Sequence, residues 1–280
     1  MERATQVSYC ANCMNAHVPV GELLREWRQR RRLSQLRVAT EAEVSTRHLS
    51  FLETGRAQPS REMVQLLTGM LDVPLGERNA LLVSAGYAPL YGNRPLNAPE
   101  LEPVRRALEL MLRQQEPYPA FVLDGQWNIV MHNAATKRVF EPFKTGTYTA
   151  NVMRKVFDPD ALRPFIVNWH EIAACTMHSL HRELAATGSA ALVELRDELL
   201  AYPGVPARWR EPGAVSAADP LVAMQLRRGD VSMAFFSTIT QFATPRDVTL
   251  QQLKIECFFP ADYATEQLSR RLAEPHTIAV

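Results

Sequence analysis

Arg28-Gln-Arg-Arg-Arg-Leu33-Ser34-Gln35, then Val44-Ser45-Thr46-Arg47-His48, then Glu53-Thr54-Gly55-Arg56, is the stretch whose reading decides the fold. One helix ends in the arginine run and a second, short helix opens at Ser34. A turn around Ala42-Glu43-Val44 leads to a third helix that Ser45 caps and Gly55 stops. Serine is favoured at such starts because its hydroxyl accepts from an amide of the first turn. Glycine is favoured just past the end because it takes the left-handed backbone. Two short helices at a sharp angle, the second with polar residues in its first turn, suit the major groove of DNA.

Outward from this stretch the periodicity continues. Residues 20–31 put Leu23, Leu24 and Trp27 on one face. Val38 and Ala39 face inward from the second helix, Leu49 and Leu52 from the third. Ser60 starts a fourth helix through Met63, Leu66, Leu67 and Met70, and a fifth runs from Leu75 to Ala85 before Gly86. The expectation is a compact all-α unit of five helices over residues 19–86, after a disordered tail over 1–18. Residues 87–103, with Pro89, Pro95, Pro99 and Pro103, have the composition of a semi-rigid linker.

Within this unit the candidate DNA contacts follow from position. Thr46, Arg47 and His48 stand at the start of the third helix, within reach of base edges, and Arg47 can pair bidentately with guanine. Phe51, one turn on, is placed for thymine methyls. Gln35, through its side chain and the start of its helix, together with Thr54 and Arg56 would hold phosphates. Between Val20 and Ser60 every cation is an arginine, eight in all against five glutamates, although the whole chain is near neutral with Lys+Arg 31 and Asp+Glu 30. A local basic face on a neutral protein fits modest, phosphate-driven affinity. Leu33-Ser34-Gln35, Val38-Ala39, Val44-Ser45, Leu49-Ser50 and Glu53-Thr54-Gly55-Arg56 resemble the helix-turn-helix of XRE-family, lambda-repressor-like regulators. The resemblance implies an ion pair bracing Arg28 against Glu53. Glu43 departs from the family's usual turn glycine, which implies some strain there.

The remainder, residues 104–280, reads as α+β. A helix over 104–115 precedes strands at Ala120–Leu123 and Trp127–Met131 joined through Asp124-Gly125, a hairpin signal. Helices follow at 134–140, 166–187 and 190–201, then strands at 221–226, 231–240 and 253–259. Two strands, a block of helices and three strands suggest an antiparallel sheet with helices packed on one face. Three stretches resemble the ligand-binding domain of MmyB-type regulators, with the PAS-like fold that implies. They are Leu162-Arg163-Pro164 to Trp169, Phe236-Ser237-Thr238, and Thr244-Pro245-Arg246-Asp247 to Asp262. The resemblance further implies a small hydrophobic ligand of fatty-acid type. Phe121, Trp127, Met131, Phe140, Trp169 and Phe236 are the candidate pocket residues, with Ile129, Phe143 and Phe235 beside them. Aromatics in strands are more often plain core than pocket, and it is the resemblance that favours a pocket, so a ligand-free dimerisation or interaction module is the alternative.

Other chemistry finds little support. His170, Cys175, His178 and His181 share a helix, yet satisfied or solvated histidines are the expected reading, and no metal site or cofactor is assigned. Cys10-x-x-Cys13 near His17 has no second ligand pair, and four cysteines are too few for a disulfide framework. Met14 offers an alternative start. No Gly-x-Ser-x-Gly, phosphate loop or His-Glu-x-x-His is present, and Asp219, Asp230, Asp247 and Asp262 fall at turns or strand ends, so no enzyme is expected. No apolar run nears the ~20 residues of a membrane helix. The sequence therefore predicts a cytoplasmic regulator with a double-stranded operator and a small apolar ligand as partners. A homodimer is expected, because one helix-turn-helix reads only a half-site.

Overall fold

The structure, a computed structural model, describes residues 18–144, 149–213 and 221–274. The expected tail, apart from Val18, lies outside the described residues with its cysteines, and so does Asp219. The chain divides into two units. The first holds residues up to Asn93 with Arg246–Val248, and the second holds Arg94–Pro245 and Thr249 onward.

The first unit contains α1 (Val20–Arg30), α2 (Gln35–Glu41), α3 (Thr46–Glu53), α4 (Arg61–Met70) and α5 (Leu75–Ser84). Three starts are set locally: the hydroxyls of Ser34, Ser45 and Ser60 accept from the amides of Arg37, His48 and Met63. The ends share one device. Arg32, Glu43, Gly55, Asp72 and Gly86 each take positive φ, between 46° and 86°. The next amide then reaches back to a carbonyl five residues earlier, as from Leu33 to Arg28 and from Val44 to Ala39. Three of these five positions lack glycine and carry the cost of a left-handed L-residue. Leu24, Leu49, Leu52, Val64, Leu67 and Leu82 form the centre of the core. Leu66, expected to face inward on α4, is 43% exposed; Val64 takes the inward place instead. At Gly21 α1 rides directly on the end of α3, where a Cβ would lie 2.3 Å from the Leu52 carbonyl oxygen. The start of the proline-rich stretch is tied to α5, since Asn79 bonds the backbone of Leu90 and Tyr91.

In the second unit, α6 (Glu102–Gln114) precedes β1 (Ala120–Leu123) and β2 (Ile129–His132). The helices α7 (Ala134–Phe140), α8 (Val152–Phe157), α9 (Trp169–Thr187) and α10 (Ala190–Ala201) follow, then β3 (Met224–Arg228) and β4 (Val231–Thr240). After them α11 (Val248–Gln252) leads into β5 (Lys254–Pro260) and α12 (Tyr263–Ala273). The strands form one antiparallel sheet in the order β2-β1-β5-β4-β3, a PAS-like arrangement. Successive strand residues face opposite sides, and both sides are covered rather than one. Leu108 and Leu112 of α6 pack on Ala120, Val122 and Ile255. Phe121, Leu123, Leu226, Phe235 and Phe258 turn the other way, towards α7 to α10. That is why all four residues of β1 are buried.

Two local readings change. Trp127 is not in a strand: the Asp124 carboxylate takes the amides of Gln126 and Asn128, and Trp127 sits in the turn at φ 67°. The sequence patterns also missed α8, α11 and α12; α8 is short, and α12 is mostly polar.

Candidate nucleic-acid interface and ligand cavity

The helix-turn-helix is α2, the turn at Glu43 and α3. Its internal tie is a two-pronged ion pair. Arg28 donates from Nε to Oε1 of Glu53 at 2.6 Å and from a terminal nitrogen to Oε2 at 2.8 Å. The Glu53 side chain is 2% exposed and that of Arg28 12%, so both charges are out of water. Hydrogen bonding to Glu53 holds the Arg28 guanidinium even more firmly protonated than usual. Arg28 also donates to the Leu33 carbonyl at 2.9 Å, closing the end of α1. One carboxylate thus joins α1 to α3.

Gln35 differs from expectation. Its Nε2 donates to Glu53 Oε2 at 2.8 Å, so its amide belongs to the brace and does not point outward as a free phosphate donor. Arg47, Thr54 and Arg56 are exposed, and Thr46, His48 and Phe51 half-exposed, on the outer side of α3. Two guanidinium groups lie over the Phe51 ring, Arg47 at 5.2 Å and Arg56 at 5.8 Å from its centroid. Cation–π attraction of this kind is worth about 0.5–1 kcal/mol at an exposed site. Phe51 therefore acts as a platform that orients both arginines. The Thr54 hydroxyl donates back to the Ser50 carbonyl at 2.7 Å, and its side chain stays at the surface.

In the second unit a cavity of about 860 Å³ lies between the sheet and α7, α8 and α9. The volume falls inside the roughly 300–1,000 Å³ range of small-molecule sites. Its floor includes a row across four strands, His132, Phe121, Glu256 and Ile239, adjacent in register from β2 to β4. Phe258 is the hub of the aromatic lining, with ring centroids 5.4 Å from Phe121, 5.9 Å from Phe140 and 6.3 Å from Phe235. Lys137, Lys144 and Lys155 also line it; Lys144 pairs with Glu141 at 2.6 Å. Burial, followed by the neighbouring Lys144, pulls the Lys155 ammonium below its ordinary range. Burial raises the Cys175 thiol. Glu256 accepts from the Ser237 hydroxyl at 2.7 Å, and burial pushes its carboxyl up to about 7 against that hydrogen bond.

Residues 104–272 match the family model of the MmyB-like transcription regulator ligand binding domain, and residues 19–81 match a helix-turn-helix domain. The first match alone spans more than half of the chain. The chain belongs to the MmyB-like transcription regulators. No curated protein matches it with significance. Among solved structures, one titled as an RNA-binding light-oxygen-voltage receptor aligns with it at 12% identity and a TM-score of 0.27. That alignment covers 97% of this chain and 68% of the other, a superposition too weak to establish a shared fold.

In the MmyB-like regulator three of the six expected pocket residues lie in the lining of this cavity. Phe121, Trp127 and Phe140 line the cavity, as do Ile129, Phe143 and Phe235. Met131, Trp169 and Phe236 do not. Met131 pairs with Val122 and belongs to the α6 side of the sheet. Phe236 alternates away from Phe235 and stacks on Phe259 at 5.4 Å. Trp169 anchors the start of α9: its indole nitrogen donates to the Val156 carbonyl at 2.8 Å and Arg163 lies 3.7 Å over its ring. The reverse omission is Glu256. Period-2 alternation puts Lys254, Glu256 and Phe258 on one face of β5, so a charge next to an inward phenylalanine was the available signal. The helix histidines are spread out. His181 is buried with Nε2 2.7 Å from the Trp209 carbonyl, and Cys175 lines the cavity. Among the described residues no helix is long and apolar enough to cross a membrane.

Proposed function

We propose that this transcription regulator binds its operator through the outer side of α3 and that a fatty-acid-like ligand in the second unit modulates that binding. In this reading Arg47, Thr46 and His48 read bases while Arg56 and Thr54 hold phosphates. Phe51 serves chiefly to hold the two arginines. The protein acts as a homodimer on two half-sites spaced by about 10–10.5 base pairs or a multiple.

The observation that carries the ligand reading is the cavity itself. Phe121, Phe140, Phe235 and Phe258 give it an apolar interior, and Lys137 and Lys155 in its lining bring positive charge beyond the Lys144–Glu141 pair. An acyl chain with an anionic head matches both. The ligand shifts operator affinity only by the difference between its affinities for the DNA-competent and DNA-incompetent forms; a tenfold shift needs about 1.4 kcal/mol. The test is solvent extraction of the purified protein with mass spectrometry, followed by tetradecanoic acid titration monitored by tryptophan fluorescence and by gel shifts on a selected operator. Saturable binding that changes operator affinity supports the reading. A protein that extracts empty and ignores the acid refutes it, and would favour a ligand-free dimerisation module.

A further inference from the structure

We propose that Glu256 and Ser237 form a specificity-determining point in the cavity wall, selecting a ligand whose chain carries a hydroxyl group. This rests on the cavity being the ligand site. Glu256 sits in an otherwise apolar part of the floor. Its register neighbours are Phe121 on β1 and Ile239 on β4, and Phe258 is next on the same face of its own strand. Ser237 donates to Oε1, and among the described residues no other side chain is hydrogen-bonded to this carboxyl. Oε2 is left to whatever fills the cavity.

The other ionisable groups around the cavity do not neutralise it. His132 on β2 is one strand further along the row, beyond Phe121. Lys137 on α7, Glu141 and Lys144 after it, which pair with each other, and Lys155 on α8 line the same cavity, as does Cys175 on α9. Lys254, on the same face of β5, is bound to Glu183 of α9 at 2.6 Å. Cys257 points to the opposite face with Ile255. Burial dominates the carboxyl's behaviour and no cation offsets it.

The consequence for ligand choice is direct. A plain methylene chain laid against Glu256 strips water from the carboxyl and offers nothing in return. Burying an unpartnered charge is costly, whereas a neutral carboxyl is tolerated. A chain hydroxyl instead donates to Oε2, a bond that strengthens when the acceptor is ionised. Because the group changes charge near pH 7, the advantage of a hydroxylated chain is small at pH 6 and grows towards pH 8. The common carboxylate head of the compared acids cancels from the ratio.

The experiment is a fluorescence titration of the full chain at pH 6 and pH 8. The probes are tetradecanoic acid and a set of hydroxytetradecanoic acids that differ in hydroxyl position. The expected result is that at least one hydroxy acid binds about tenfold more tightly than the plain acid at pH 8, with a smaller ratio at pH 6. Glu256→Gln keeps a preference but loses its pH dependence, which separates Glu256 from His132 as the titrating group. Glu256→Leu, checked by melting for an intact fold, loses the preference. Tetradecanoic acid binding as tightly as every hydroxy acid at both pH values would overturn the inference and leave the cavity's role standing. Binding of none of the acids would overturn the ligand reading as well.

Discussion

Glu53→Ala is the sharpest test of how the DNA-binding unit is held together. The substitution deletes a carboxylate that accepts two bonds from Arg28 and one from Gln35. The arginine, 12% exposed, keeps its charge and loses its partner. Breaking one side of a buried pair typically costs about 3–5 kcal/mol. A unit of this size has roughly 4–11 kcal/mol in total, so a large fraction of its stability is at stake. With roughly 4–8 °C of melting temperature per kcal/mol in domains of this length, the transition should fall by roughly 12–40 °C. Circular dichroism of the full chain would show it as an early helical transition, and gel shifts at fixed salt would lose binding at temperatures where the wild type is intact. A double-mutant cycle with Arg28→Ala separates coupling from bulk loss: the double variant should cost little more than either single one. A Glu53→Ala protein that melts with the wild type, or strictly additive costs in the cycle, would refute the brace.

Other expectations follow from individual positions. Gly21→Ala forces a methyl against the Leu52 and Glu53 carbonyls, at 2.3 and 2.9 Å, and should destabilise the first unit by about 1–3 kcal/mol in urea unfolding. Glu43→Gly relieves a left-handed residue at φ 55° and should raise stability. The gain is about 0.5–1 kcal/mol once glycine's greater freedom in the unfolded chain is subtracted, and a drop in midpoint would contradict it. Arg47→Ala should flatten base preference in a fragment selection with modest loss of overall affinity. Phe51→Ala should reproduce part of that loss, while Phe51→Tyr, which keeps a ring under both guanidinium groups, should restore it.

The helix-turn-helix was legible because its determinants are local. A serine cap, a turn and an apolar face occupy consecutive residues, and each acts on its own helix whatever the rest of the chain does. The Arg28–Glu53 contact came from family resemblance, since a separation of 25 positions puts the two groups beyond any spacing argument. Gln35 shows the limit even there: its type and position suited a phosphate, but the packed structure brought Glu53 within its reach first. In the second unit the strands and the longer helices showed in the pattern, with ends displaced by a few residues. Membership of the cavity did not. Met131 and Phe236 are as apolar as Phe121 and Phe235, and only the register of each strand and the helix above it decide which side a ring faces.

By itself, then, the sequence determined what short-range chemistry can specify: five short helices, three of them capped by serine, their basic outer surface, and alternating strands in an order that admits an antiparallel sheet. The tertiary structure decided what depends on long-range partners. It closed the brace through one shared carboxylate, covered both faces of the sheet, and put Phe258 at the hub of the aromatic lining. It also turned Glu256 inward, where loss of water raises its carboxyl to about 7. The physical reason is the same throughout. Capping and periodicity act between residues a few positions apart, whereas burial and ion pairing depend on which distant segments the fold brings into contact.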